Sequence, residues 1–188
     1  VLGVFGDVLL PIGASNDFKN PSYLWNAVEQ KENRSNSRLA RAFIIALPNE
    51  LTLEQNKKLI EDFIKENFTS VGMIANYAIH KDKKDNIHCH VLTTTRELDP
   101  SGQQFAKNNV VGREWNNKEN VEKWRLSWEN NTNIYLKKYN HESRIDRRTL
   151  NAQLLEATEY FENKPTPENY KRIVLLDRPA FKLSLIHI

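Results

Sequence analysis

The sequence Ile79-His80-Lys81-Asp82-Lys83-Lys84-Asp85-Asn86-Ile87-His88-Cys89-His90-Val91-Leu92 places three of the chain's five histidines within eleven residues, on either side of a charged centre. Ile74, Tyr77 and Ile79 give the run before it a strand-like character, and the polar residues 81–86 read as the turn into a second strand. Side chains two apart on a strand project to the same face, so His88 and His90 converge while Cys89 enters the opposite layer. His80 ends the incoming strand and can lie beside that pair. The hairpin therefore gathers three imidazoles on one patch of an antiparallel sheet. A lone histidine at a strand end is ordinarily a partly buried polar group. A same-face pair with a third across the hairpin is instead a donor set for a divalent metal, with positions left for water or a substrate oxygen.

Outward from the hairpin, strands and helices interleave. Ala42-Phe43-Ile44-Ile45-Ala46-Leu47 is an apolar strand stopped by Pro48, and Gly72 separates the next helix from the histidine strands. That helix starts with a capping box, Thr52 with Gln55, and its core face is Leu53, Ile60, Phe63 and Ile64. Further back, residues 4–10 form a short extended piece, and Asn20-Pro21-Ser22 opens a helix with Leu24, Trp25 and Val28 at helical spacing. Downstream, Asp99-Pro100-Ser101-Gly102 is a turn, and the polar stretch to Gly112 has no usable periodicity. Residues 117–140 form the longest helix, with Val121, Trp124, Trp128, Tyr135 and Tyr139 on one stripe. Aromatic residues at that spacing pack against a sheet more often than they stack on nucleic acid. Residues 151–162 are helical, and Pro165 and Pro167 are expected to break that helix before a tail. The order β-α-β-α-β-β-α, with a hairpin that must be antiparallel, defines an α+β fold: an antiparallel sheet with helices packed on one face, histidines on the other, and a helical C-terminal extension.

At 188 residues and 22.0 kDa the chain has material for one domain with a real core and an appendage. The expected division is a metal-binding domain over 1–150, a helical extension over 151–182, and a terminal hexapeptide, 183–188. Leu183-Ser184-Leu185-Ile186-His187-Ile188 resembles the translation of a transposon-end adapter used in preparing DNA sequencing libraries, and is expected to be foreign to the natural protein. Val1, without an initiator methionine, is expected to lie inside a longer chain. No apolar run approaches the length that spans a bilayer. The one cysteine, Cys89, makes no internal disulfide. Net charge is only +3, but between Lys137 and Arg148 five basic residues face two acidic ones, a surplus equal to that of the whole chain. Arg144, Arg147 and Arg148 are the candidate phosphate contacts there, although cations also gather ordinarily at helix ends.

Four motifs follow one another within residues 7–153: Tyr23-Leu24-Trp25-Asn26-Ala27-Val28-Glu29, Ala46-Leu47-Pro48-Asn49-Glu50-Leu51, His80 with His88-Cys89-His90, and Ser143-Arg144-Ile145-Asp146-Arg147-Arg148-Thr149-Leu150. Together, in this order and at these separations, they resemble the relaxases of the MobA/MobL family, strand-nicking enzymes that start transfer of mobilisable plasmids. The resemblance implies a five-stranded antiparallel sheet and a divalent metal, Mn or Mg, on His80, His88 and His90 beside the scissile phosphate. It also implies a tyrosine that attacks phosphorus, leaving a 5′-phosphotyrosyl link and a free 3′-hydroxyl. Single-stranded DNA at a transfer origin would be the substrate, other relaxosome proteins partners, and the bacterial cytoplasm the location. In such chemistry the metal is Lewis acid and template. Neutral imidazoles leave its positive charge available, where three carboxylates would cancel it.

The family's nucleophilic tyrosine lies in a Ser/Ala-rich segment near the natural N-terminus, and no tyrosine here sits in such a segment. Tyr23 belongs to the Leu-Trp-Asn helix and Tyr77 to a strand. No catalytic nucleophile is therefore assigned, and the chain alone is expected to bind metal and DNA without nicking. Ala42 stands where members often carry an acidic residue, Arg147 where many carry His, and Ile87 where proline is frequent. Two other classes use similar residues: a catalytically inactive DNA-binding module whose histidine cluster is structural or vestigial, and a rolling-circle replication initiator or transposase. The distance of His80 from the pair and the 144–150 segment weigh against the last.

Overall fold

Four strands, β1 (Gly3–Leu9), β2 (Arg41–Ala46), β3 (Ala75–Lys81) and β4 (Ile87–Thr93), make an antiparallel sheet in the order β1-β3-β4-β2. A two-residue strand, β5 (Ile186–His187), extends it at β2, pairing with Ile45 and Ile44. The computed structural model describes residues 3–81, 86–177 and 186–187, so the tip of the histidine hairpin, 82–85, and most of the terminal hexapeptide lie outside the described residues. Two compact units divide the chain, one ending at Ile145 and taking in β5, the other beginning at Asp146.

Alternation along the strands sets the layers. Phe43, Ile45, Tyr77, Ile79, Cys89 and Val91 point to one side and join the main core with residues of α2 (Leu53–Asn67) and of the long C-terminal helix of this unit. In α2 the buried residues are Asn56, Leu59, Ile60, Phe63 and Ile64. Its capping box forms in full: the Gln55 N–H donates to Thr52 Oγ1 at 3.2 Å and the Thr52 N–H to Gln55 Oε1 at 2.9 Å. Such a cap contributes about 1 kcal/mol.

A four-residue helix, α3 (Val111–Glu114), precedes the long helix α4 (Lys118–Lys138), which buries Trp124, Trp128 and Tyr135 on the expected stripe. Phe63 lies edge-on to Trp128 with centroids 5.2 Å apart, and Phe43 edge-on to Trp124 at 5.4 Å. Each such pair adds about 0.5–1.5 kcal/mol beyond its area burial. Helix α4 ends where Asn140 turns left-handed (φ 61°) and the His141 N–H closes on the Leu136 carbonyl at 2.9 Å; asparagine tolerates that conformation better than a bulkier residue.

Helices α2 and α4 cover one face, as the sequence predicts. Helix α1 (Pro21–Lys31) takes the other: Leu24 and Val28 pack with Val8, Phe18, Ile74 and Phe105 in a second core. The Trp25 indole N–H donates to Asn76 Oδ1 at 3.2 Å. Val8 is the register partner of Asn76, so α1 roofs the histidine face at its Ile74 end, where that face is apolar. Among the described residues the His80 end of that face lies outside this second core.

In the second unit, α5 (Leu150–Asn163) ends before Pro165 and Pro167, as the sequence reading expects. Where that reading expects a tail, Pro167 starts a further helix, α6 (Pro167–Leu176). A first-turn proline loses nothing by lacking an N–H, and Thr166 caps the helix by accepting from the Asn169 N–H at 3.2 Å.

Candidate functional site

His80 and His88 are register partners across the β3–β4 ladder, while His90 lies opposite Ala78 on one side and Ile44 on the other. All three rings project to the same face and are half-buried. Their centroids are 5.6 Å (His80–His88), 4.8 Å (His80–His90) and 5.0 Å (His88–His90) apart. One nitrogen from each lies within 4.8 Å of the other two, and among the described residues this is the one His, Cys, Asp or Glu cluster close enough to share an ion. The donor set fits a divalent first-row ion: three borderline nitrogen ligands on one side, with the solvent side open. His88 Nδ1 sits 3.4 Å from the Asn86 carbonyl oxygen. In the tautomer protonated there, Nδ1 donates to that carbonyl and Nε2 is left as the ligand atom.

Gly6, Ala78 and Ala46 beside the cluster are small, and Ile44, opposite His90 and 40% exposed, is the bulky neighbour. Gly6, Ala78 and His90 form one row across the sheet, and His80, His88 and Ala46 form the next. The sheet is therefore low on the β1 and β3 side of the imidazoles and beside Ala46, and Ile44 rises on the β2 side of His90. Ala42 is on this face too, opposite Leu92, and offers no donor. Cys89 is fully buried on the other face, where desolvation pushes its thiol pKa well up.

The tyrosines of this unit pack elsewhere. Tyr77 faces the helices and its hydroxyl donates to Glu61 at 2.7 Å; burial and that carboxylate push its pKa up. Tyr23 leans on Phe18, with centroids 5.5 Å apart. Tyr135 donates to Asp62, and Tyr139 packs beside it.

The three arginines singled out from sequence fall into different settings. Arg144, exposed, donates to the carbonyls of His141 (2.6 Å) and Ser143 (2.5 Å). Arg147 and Arg148 belong to the second unit, and both are exposed. Arg148 is held by Asp146 at 2.6 Å and Glu156 at 2.9 Å. Its hydrogen bonds keep both carboxyls below their usual range.

A cluster that the sequence reading misses lies beyond the opposite end of β4. Lys31, Arg34, Arg96, Lys107 and Arg113 line a cleft of about 480 Å³ with one carboxylate, Glu32, among them. Arg96 is paired with Glu32 and also donates to the carbonyls of Ala106 and Lys107, each at 3.2 Å. The remaining cations come from the end of α1, the connector after it, the loop before α3 and α3 itself. No local run of charge announces them, because they are scattered over more than eighty positions; the one hint is Arg34 in a polar connector.

With fold and site in place, the chain falls into a known group. The MobA/MobL family model matches residues 4–161, and the chain belongs to that family. It is 43% identical over 100 residues to the conjugal transfer protein TraA of Agrobacterium fabrum, covering 53% of this chain and 8% of that protein. It is 32% identical over 151 residues to mobilization protein A of Escherichia coli, covering 73% of this chain and 21% of that protein. Among solved structures, one from work on the molecular basis of vancomycin resistance transfer in Staphylococcus aureus superposes with a TM-score of 0.71 at 39% identity, covering 77% of this chain and 75% of that one. The chain thus spans less than a quarter of the length of these two relatives.

Proposed function

We propose that this chain is the metal-binding part of a relaxase domain that nicks one DNA strand at a plasmid transfer origin, by transesterification to a tyrosine, for conjugative mobilisation. The observation that carries this reading is the three-imidazole cluster on the open end of an antiparallel sheet. Relatives named for conjugal transfer and mobilization support it.

His80, His88 and His90 would hold the ion, Mn or Mg on the family resemblance, and the carbonyl of Asn86 would orient His88. A divalent ion there supplies Lewis-acid neutralisation of a non-bridging phosphate oxygen. Because the ligands are neutral, that charge is not cancelled by the protein. The small side chains of Gly6, Ala78 and Ala46 leave space for the phosphodiester on the sheet. A tyrosine oxygen bonds to phosphorus as the P–O3′ bond breaks, and the leaving 3′-oxygen takes up a proton. That tyrosine is not assigned in this chain; in the family it lies in a Ser/Ala-rich segment near the natural N-terminus. The cleft of Lys31, Arg34, Arg96, Lys107 and Arg113 would bind the DNA backbone away from the cut, with Arg144 and Arg147 adding exposed charge and Arg148 partly matched by its carboxylates. The reaction would take place in the bacterial cytoplasm, with other relaxosome proteins as partners.

The test is a denaturing gel. The chain joined to the upstream tyrosine segment is incubated with a transfer-origin oligonucleotide and Mg²⁺ or Mn²⁺. A covalent protein–DNA adduct that disappears in His88→Ala is the expected result. No adduct with the tyrosine and all three histidines intact contradicts nicking. One alternative draws on Ala42 and the tyrosine packings: an inactive DNA-binding module whose histidine cluster is structural or vestigial. A vestigial cluster predicts little difference in metal affinity between wild type and His88→Ala.

A further inference from the structure

Three consecutive backbone N–H groups converge on one side chain. Glu97 Oε1 accepts from Val110 at 2.7 Å and from Val111 at 3.0 Å, and its Oε2 accepts from Gly112 at 2.9 Å. These amides open α3, and Val110 at the cap position supplies no side-chain bond of its own. A carboxylate from the segment after β4 therefore does the capping, where negative charge is most favourable. Other bonds pin the same stretch. Asn109 Nδ2 donates to the Thr95 carbonyl at 3.0 Å, and Asn116 Nδ2 to the Gly112 carbonyl at 3.3 Å. Arg38 and the buried Arg41 both donate to Asn116 Oδ1. The packing leaves no slack: a Cβ on Gly112 would lie 2.1 Å from Asn109 Oδ1 and 2.3 Å from the Thr95 carbonyl oxygen. Lys107 and Arg113 flank this pinned stretch, and both line the basic cleft.

Taking that cleft as a DNA-backbone surface, we propose that Glu97 is a positioning residue for it: its carboxylate fixes residues 110–112 and so holds Lys107 and Arg113 where they meet phosphodiesters. The sign of the charge makes the idea distinctive. Glu97 places a negative charge near a positive cleft, which by Coulomb repulsion of phosphate alone works against DNA. Were charge its whole effect, removing it would tighten binding. As a positioning group, its removal weakens binding. Glu97→Gln keeps the shape but turns an amide donor toward backbone donors, so it retains part of the capping, and Glu97→Ala retains none.

The experiment follows the fluorescence anisotropy of a labelled DNA hairpin with a single-stranded tail, titrated with the 188-residue chain at several salt concentrations. Wild type, Glu97→Gln, Glu97→Ala and a Lys107→Ala/Arg113→Ala double variant are compared, with amide hydrogen exchange over residues 107–113. Glu97→Ala is expected to weaken binding about three- to tenfold, the factor by which the competent loop population falls. Glu97→Gln should lose less, and amides 110–112 should lose protection in both while the sheet keeps its own. Unchanged or tighter binding in the Glu97 variants overturns the proposal, as does undiminished protection of 110–112. If Glu97→Ala fails to fold, Glu97→Gln decides alone by the same readouts. A double variant that binds like wild type, or a wild type that does not bind, shows instead that the cleft is not a DNA surface, and Glu97's assignment falls with it.

Discussion

His80 and His88 face each other directly across the β3–β4 ladder, and His90 completes the cluster two residues along β4. The site is thus a property of strand register. A slip of one residue would send His88 and His90 into the core and bring Cys89 out. The main core fixes the register, because Ile79, Cys89 and Val91 are all fully buried.

An ion held by a folded sheet and not by the unfolded chain must stabilise the fold. At a free Mn²⁺ concentration one hundred times its dissociation constant, the gain is about 2.7 kcal/mol. Thermal unfolding with and without Mn²⁺ is expected to show a raised midpoint in wild type and none in His90→Ala. An equal rise in both would assign the ion to another place.

Trp128 is 1% exposed and edge-on to Phe63. Trp128→Ala is expected to cost about 3–5 kcal/mol in urea unfolding. Leu155, at 66% exposure in α5, is the contrasting case; Leu155→Ala should stay within about 0.5 kcal/mol.

For Glu97, burial pushes the carboxyl pKa up, but the backbone N–H groups of Glu97 itself, Gly112, Val110 and Val111 outweigh it and hold the group below its ordinary value. A depressed folded-state value means its stabilisation is fully present above the unfolded carboxylate pKa of about 4.3. It is lost as pH falls through the lower folded value. Hydrogen exchange, corrected for intrinsic rates, should therefore show amides 110–112 opening on acidification in wild type, and already open at neutral pH in Glu97→Ala. Pairwise identical pH profiles would contradict this.

Each phosphate contact contributes about 0.7–0.9 to the slope of log affinity against log salt. Arg34→Ala and Lys107→Ala are each expected to flatten that slope by up to this amount. Arg148→Ala should change it less, since Asp146 and Glu156 already match its charge. A larger effect from Arg148 than from either cleft residue would move the DNA surface to the second unit.

The features legible in the sequence are those that repeat with the period of their element. His88 and His90 share a face because strands alternate, Thr52 and Gln55 cap because they stand three apart, and Trp124 and Trp128 recur at one helical turn. The side of the sheet on which α1 packs was hidden, because Leu24 and Val28 fit any apolar patch and only Val8 and Ile74 decide which. Pro165 and Pro167 mark the end of α5 correctly, but the helix that Pro167 opens is hidden because it depends on Thr166 capping behind it. The basic cleft escapes a linear reading because β4 and its following loop bring Arg96 to Glu32 across 64 positions. Glu97 is hidden further still, since its partners are backbone amides that carry no sequence signature.

The central claim, that His80, His88 and His90 grip one divalent ion together, is tested most directly by titrating the chain with Mn²⁺ and counting bound ions by electron paramagnetic resonance. Wild type is predicted to bind one ion at this cluster, and His80→Ala, His88→Ala and His90→Ala each to weaken that binding by more than about tenfold while keeping the wild-type circular dichroism. Wild-type affinity in any one of the three variants, or no binding by the wild type, would contradict it.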